Sequence, residues 1–121
     1  MPYHKLDVYQ KAYQLALDVH KLSLGFPQIE QYELARQLRR SSKSISANIV
    51  EGYGRRKYKA EFIRFLIYAH SSCNETIEWV EYIQDCYKNL EEISKTFLNQ
   101  LDELGRKINR FIGAVEKKHN S

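Results

Sequence analysis

The segment from Phe62 to Tyr87 restricts the fold more than any other part of the chain. Phe62, Leu66, Ala69, Cys73, Thr76, Val80, Ile83 and Tyr87 follow one another in strict steps of four and three, the spacing that lays a continuous seam along a long α-helix. Such a helix cannot bury its seam alone, so other elements must cover it. Three further segments repeat the pattern. Val8, Ala12, Leu15, Val19 and Leu22 form the first, which Gly25 and Pro27 end; Leu34, Leu38, Ile45 and Ile49 form the second, expected to stop at Gly52-Tyr53-Gly54. Ile93, Phe97, Leu101, Leu104, Ile108, Phe111 and Val115 form the fourth, which tolerates Gly105 and Gly113 at some cost in propensity. Asp7 stands where an N-cap carboxylate would accept a backbone N–H. No segment alternates with the period of two that a half-buried strand shows.

The expected helices therefore cover about 7–24, 31–52, 58–88 and 91–117. Connections as short as 25–30, 52–57 and 89–91 make sequential neighbours antiparallel. The fold class is all-α, an antiparallel up-down-up-down four-helix bundle. A chain of 121 residues with 43% hydrophobic content supplies one core, so residues 1–121 are read as a single domain. No apolar run reaches the roughly 18 to 20 residues of a membrane span, and Met1 to Asp7 lacks the apolar stretch of a secretory signal. A cytoplasmic protein without a membrane role is the expectation. Cys73 and Cys86 fall on one helix roughly 20 Å apart at about 1.5 Å per residue, too far to pair.

Charge is segregated along the chain. From Arg36 to Arg64 nine basic residues face only Glu51 and Glu61, whereas from Phe65 to Leu104 eight acids face only Lys88 and Lys95. The last helix turns positive again with Arg106, Lys107, Arg110, Lys117 and Lys118, so the formal net charge of +4 conceals the pattern. Within the basic stretch, Tyr53-Gly54-Arg55-Arg56-Lys57-Tyr58-Lys59 interleaves four cations with two tyrosines at a turn. Arg55, Arg56, Lys57 and Lys59 are candidates for phosphate contacts, and Tyr53 and Tyr58 for stacking on the bases of single-stranded or looped RNA. The competing reading is a solvated turn whose cations answer the acidic third helix of a neighbouring subunit, through Glu75, Glu78, Glu81 and Asp85.

A second feature lies on the second helix. Gln37, Arg40, Ser41, Ser44, Asn48 and Glu51 share roughly 100° of arc beside the apolar stripe. Serine and asparagine are mediocre helix formers, so the helix gives up propensity there. A partly buried polar network that fixes register or a subunit contact explains this better than a ligand groove, which would need a convergent nucleophile or histidine. Asn48 is expected to be buried or at an interface, and hydrogen-bonded.

The sequence points away from catalysis. His4, His20, His70 and His119 fall on different helices or at the ends, and no HExxH, CxxC or phosphate-cradling glycine loop is present. His70 and Cys73 share a helix face but would need two more ligands to hold a metal. No cofactor and no metal are expected.

The runs Phe26-Pro27, Tyr32-Glu33-Leu34, Gln37-Leu38-Arg39-Arg40, Ser44-Ile45-Ser46-Ala47-Asn48-Ile49-Val50-Glu51-Gly52-Tyr53-Gly54-Arg55 and Glu61-Phe62-Ile63-Arg64-Phe65-Leu66 together resemble one family, the four-helix-bundle proteins encoded in 23S rRNA intervening sequences. Leu6-Asp7-Val8-Tyr9-Gln10-Lys11-Ala12 is similar to that family's first helix, so the resemblance spans about residues 6–115. The chain departs from the family pattern at Ser46, where proline is common, and at Ala69-His70-Ser71-Ser72, where Ala-Arg-Gly-Ser is typical. If that arginine pairs with the acid at the position of Glu51, His70 can replace it only by a hydrogen bond, and His70 joins Gln37, Arg40, Ser44, Asn48 and Glu51 as an expected member of the network. The resemblance implies a bacterial, cytoplasmic homo-oligomer, with a pentamer favoured. The chain is also similar to the accessory variability proteins of diversity-generating retroelements, which implies RNA or DNA and a reverse transcriptase or other protein as partners. Two functions stand side by side: a non-enzymatic nucleic-acid-binding accessory protein, and a protein–protein scaffold with no nucleic-acid role.

Overall fold

In the computed structural model, which describes residues 2–118, each of the four seams becomes a helix. A 3-10 turn at Tyr3–Lys5 leads into α1 (Asp7–Ser23), and the one-turn α2 (Gln28–Gln31) leads into α3 (Leu34–Gly54). Helix α4 (Lys59–Cys86), a 3-10 turn at Lys88–Leu90 and α5 (Glu91–Lys118) complete the chain, with no strand among the described residues.

Contacts between neighbouring helices run in opposite directions. Ser23 and His20 of α1 meet Arg39 and Lys43 of α3. Arg40 and Ser44 of α3 meet Glu75 and Ser72 of α4, and His70 and Cys73 of α4 meet Asn109 and Leu101 of α5. Asp7 at the start of α1 pairs with Lys107 late in α5 at 3.2 Å, which closes the up-down-up-down ring. Ile45, Ile49, Leu66, Ala69, Leu101 and Ile108 are fully buried along the axis, each of the larger ones contributing about 1.5 to 3 kcal/mol by leaving water.

Three local expectations change. The second helix begins at Leu34 and not at 31, because α2 takes up residues 28–31 as a separate turn. Arg39 holds that connection: its guanidinium donates to the Ser23 hydroxyl at 2.9 Å and to the Gln31 carbonyl at 3.1 Å, while the Gln31 amide donates to the Ser23 and Phe26 carbonyls. Asp7 does not cap α1; Leu6 occupies the cap position without a side-chain bond, and the Asp7 carboxylate turns to Lys107.

The third change matters most for the surface described below. Gly52-Tyr53-Gly54 is not the reversal, since α3 continues to Gly54 and the turn is Arg55–Tyr58. No glycine among the described residues has a positive φ. Gly52 is required for closeness: a Cβ there would stand 3.1 Å from the Phe65 Cβ and 3.2 Å from the Phe62 carbonyl oxygen. Gly105 also faces α4 but is not tight: a Cβ there would make ordinary contacts, 3.6 Å from His70 Nε2 and 3.7 Å from Cys73 Sγ.

Gly52→Ala should therefore cost about 1 to 3 kcal/mol through overpacking. Gly54→Ala, whose added methyl meets nothing within 4 Å, should gain about 0.4 to 1 kcal/mol by stiffening the unfolded chain; urea melts of the two variants check both signs. Burial, with Asp102 as a lesser cause, pushes the Cys73 thiol up to about 11. The fold favours the neutral thiol, so this contribution is intact below the ordinary value of 9.0 and is lost as pH rises from there towards 11. A thiol-disulfide reagent at mildly alkaline pH should accordingly modify exposed Cys86 and leave Cys73 untouched until urea is added.

Candidate nucleic-acid interface

The turn from α3 to α4 is tied at both ends. Arg55 N–H donates to the Gly52 carbonyl at 3.0 Å and Tyr58 N–H to the Arg55 carbonyl at 2.8 Å. The Arg55 side chain lies between two carboxylates, Glu51 at 3.2 Å and Glu61 at 3.3 Å, with its guanidinium 4.8 Å from the centre of the Phe65 ring. Its charge is answered within the chain, which makes it a brace for the turn. Arg56 differs. Its guanidinium lies 4.1 Å from the centre of the Tyr53 ring and donates to the Tyr53 carbonyl at 2.9 Å; a cation–π contact of this exposed kind is worth only about 0.5 to 1 kcal/mol, so Arg56 can leave it for a stronger anion. Lys57 and Lys59 make no ion pair among the described residues, and the Tyr58 ring is exposed beside them.

Antiparallel packing brings the end of α5 to the same pole. Between the turn and α5 lies an open groove of about 810 Å³, with Leu6, Tyr53, Phe62, Phe111 and Val115 as apolar and aromatic walls. Arg56, Lys57 and Lys118 stand along it, and among the described residues no carboxylate lines it. The walls are rigid because their rings lock edge to face, Tyr53 against Phe62 at 6.1 Å and Phe62 against Phe111 at 5.6 Å. Arg110 lines the adjoining hollow. Of the six residues singled out by sequence, Arg56, Lys57 and Tyr53 thus border the groove, Tyr58 and Lys59 lie beside it, and Arg55 is held back by Glu51 and Glu61. Lys118 and Phe111 escaped the motif reading; the positive swing of the last helix was the signal, and it needed the bundle topology to be placed.

The polar face of α3 is not one network. Arg40 bonds Gln37 at 3.0 Å and Glu75 at 2.9 Å, and Glu75 also accepts from the Trp79 indole at 3.0 Å. Asn48 is half-buried and donates to the Ser44 carbonyl at 2.9 Å, while the Ser44 hydroxyl lies 2.9 Å from that of Ser72. Glu51 belongs to Arg55. His70 does not reach Glu51: it faces α5, where Nε2 lies 3.2 Å from the Asn109 amide. The fully buried polar contact is one the sequence did not single out, the Thr76 hydroxyl 2.9 Å from the Ser41 hydroxyl and 2.8 Å from the Ser72 carbonyl. Near the other pole, Glu78, Glu81 and Asp85 make no ion pair among the described residues and surround the half-exposed Tyr82. Glu75, grouped with them by sequence, is already taken by Arg40.

Among the described residues no group of three or more His, Cys, Asp or Glu could hold a metal ion, and no helix is long and apolar enough to cross a membrane. His119 lies outside the described residues. The Tyr87 hydroxyl, pushed up to about 12 chiefly by its hydrogen bond to the Glu30 carboxylate, joins the end of α4 to α2.

A crystal structure of a protein of unknown function from the S23 ribosomal protein family of Bacteroides thetaiotaomicron shares 25% sequence identity with this chain. The match covers 88% of this chain and 95% of that one with a TM-score of 0.79. No curated protein matches. The family model described as 23S rRNA-intervening sequence protein matches residues 4–110, from α1 into α5 with the turn between α3 and α4 included, and the chain belongs to that family.

Proposed function

We propose that this chain is a non-enzymatic, cytoplasmic accessory protein that binds single-stranded or looped RNA through its basic pole and works as a closed homo-oligomer. The observation that carries the reading is the convergence of cations from two distant segments, Arg56 and Lys57 from the turn and Lys118 from α5, about an aromatic groove with no carboxylate in its lining among the described residues, with Lys59 at the start of α4 and Arg110 lining the adjoining hollow. Such a surface neutralises phosphates, and bases can stack on its rings. The family's name, which refers to an rRNA insertion, is consistent with an RNA partner.

Each phosphate contact on a single strand contributes about −0.7 to the slope of log affinity against log salt. Replacing Lys57, Lys59 and Lys118 with glutamine should flatten the slope by about 2 and weaken all sequences alike, because phosphate contacts carry no base information. Arg55→Gln, which releases Glu51 and Glu61 at the same time, should change the slope much less. Fluorescence anisotropy with labelled RNA at several salt concentrations measures both, and a slope that does not respond to the triple replacement would refute the reading.

The second reading, a scaffold, draws support from the acidic surface of Glu78, Glu81 and Asp85, whose charges make no ion pair among the described residues. In a ring, pentameric as the family resemblance implies, that surface meets a basic edge of the next copy, and the partner is another protein, such as a reverse transcriptase. Sedimentation separates the two. On the RNA-binding reading, the lysine replacements leave the oligomer intact; on the scaffold reading they dissociate it and there is little RNA affinity to lose. Half-buried Asn48 belongs to the same test: Asn48→Leu should alter assembly or stability by about 1 to 3 kcal/mol if a neighbouring copy covers it, and an unchanged oligomer with an unchanged melting temperature would exclude that.

A further inference from the structure

We infer that the groove between the turn and α5 receives one unstacked nucleobase, with the phosphates on either side of it held by Arg56 and Lys57 on one wall and Lys118 on the other. The inference rests on the RNA reading of the pole and adds a base-sized receptor to what would otherwise be a phosphate-binding surface.

Three observations support it. The groove, at about 810 Å³, is large enough to admit a planar ring system, and the rings of Tyr53 and Phe111 line it with the buried Phe62 packed between them. The exposed side of the Tyr53 ring already holds a flat cationic group, the Arg56 guanidinium at 4.1 Å. A base entering the groove takes that position, and the displaced guanidinium swings towards the phosphate that the base brings with it. The cations come from two elements, Arg56 and Lys57 from the turn and Lys118 from α5, which suits a chain that passes across the groove with its base turned in. A flat phosphate-binding patch would need no such cavity. A base without cations beside it would gain little, because stacking supplies only part of the affinity.

Two substitutions fill the groove without removing a charge. Ala114 is exposed and lines the groove, so Ala114→Trp blocks it from the α5 side. Gly54 also lines it, has helical geometry and leaves open space where a Cβ would go, so Gly54→Leu blocks it from the turn. The probes are a short single-stranded oligoadenylate and an abasic ribose-phosphate strand of the same length and charge, with binding followed by anisotropy at several salt concentrations. The unmodified protein should bind oligoadenylate about tenfold tighter than the abasic strand. In both variants that preference should vanish, while affinity for the abasic strand and the salt slope stay as they were. Circular dichroism checks folding, and two independent blocking positions guard against one failing to fold. Equal affinity of the unmodified protein for the two strands overturns the base receptor and leaves the phosphate reading standing, as does a preference that persists in both folded variants. Failure to bind either strand overturns the reading of the pole itself. Dodecyl phosphate offers the same anion on a flexible chain; if it competes in a groove-dependent way and adenosine monophosphate does not, the groove takes acyl chains and the inference is wrong.

Discussion

The close approach of α4 to its two neighbours decides the shape of the rest. On the α3 side it is permitted by Ser41, Ser44 and Gly52 opposite Phe62, Phe65, Ser72 and Thr76; on the α5 side Gly105 lies against His70 and Cys73. Small residues let the backbones come near enough for short hydroxyl bonds to replace longer side-chain packing, and the buried hydroxyls remain satisfied, with no unpartnered buried side-chain polar atom among the described residues. If α3 stood further from α4 at Gly52, Tyr53 would no longer reach the edge of Phe62, and the wall of the groove would open. The basic pole is therefore a consequence of packing deeper in the bundle as well as of its own charges.

Electrostatics follows from the same geometry. Three acids near the turn and the neighbouring helix ends are paired: Glu51 and Glu61 hold Arg55, Glu61 also holds Arg64 at 2.8 Å, and Asp7 holds Lys107. Exposed pairs of this kind contribute little stability, about 0 to 1 kcal/mol each. Their effect is on the field. They remove negative charge from the pole and leave Arg56, Lys57, Lys59 and Lys118 uncompensated around an apolar-walled groove, an arrangement that concentrates potential towards an approaching polyanion. At the other end of α4, Glu78, Glu81 and Asp85 do the reverse. A small net charge thus coexists with strong fields of opposite sign on one molecule.

Much of this was legible in the sequence because it was periodic. The seams from Val8, Leu34, Phe62 and Ile93 placed the four helices, and the short connections set their directions. What was not legible depended on reading a residue type by its commonest role. Gly52 was taken as a turn former when its role is to let two helices touch, and sequence cannot distinguish these where no positive φ is needed. His70 was paired with Glu51 on the strength of a family pattern, yet its position on α4 turns it towards α5, and only the helix phase relative to both neighbours reveals this. Arg39 and Gln31, which fasten the connection after α1, carry no periodic signal at all; Ser23, four residues beyond Val19 on the first seam, was the one visible hint that a polar group was being buried there. The basic turn was legible for its run of cations, but the pairing of Arg55 with Glu51 and Glu61 and the arrival of Lys118 at the same groove are facts of three-dimensional neighbourhood.

The strongly shifted groups, Cys73 and Tyr87, lie away from the basic pole, and each shift has a structural cause, burial against α5 in one case and a hydrogen bond to Glu30 in the other. Around the groove stand the cationic side chains of Arg56, Lys57 and Lys118 and the rings of Tyr53, Phe62 and Phe111, suited to holding an anion and a planar group. The groups that line the groove come from the end of α3, the turn, α4, α5 and the approach to α1, so the surface exists only when the bundle is assembled. Any ligand that bridges these segments must favour the folded state over the unfolded one in proportion to its occupancy. Recognition at this pole and the stability of the bundle are consequently linked, and a ligand that engages it draws together α5 and the two long helices that Gly52 allows to approach.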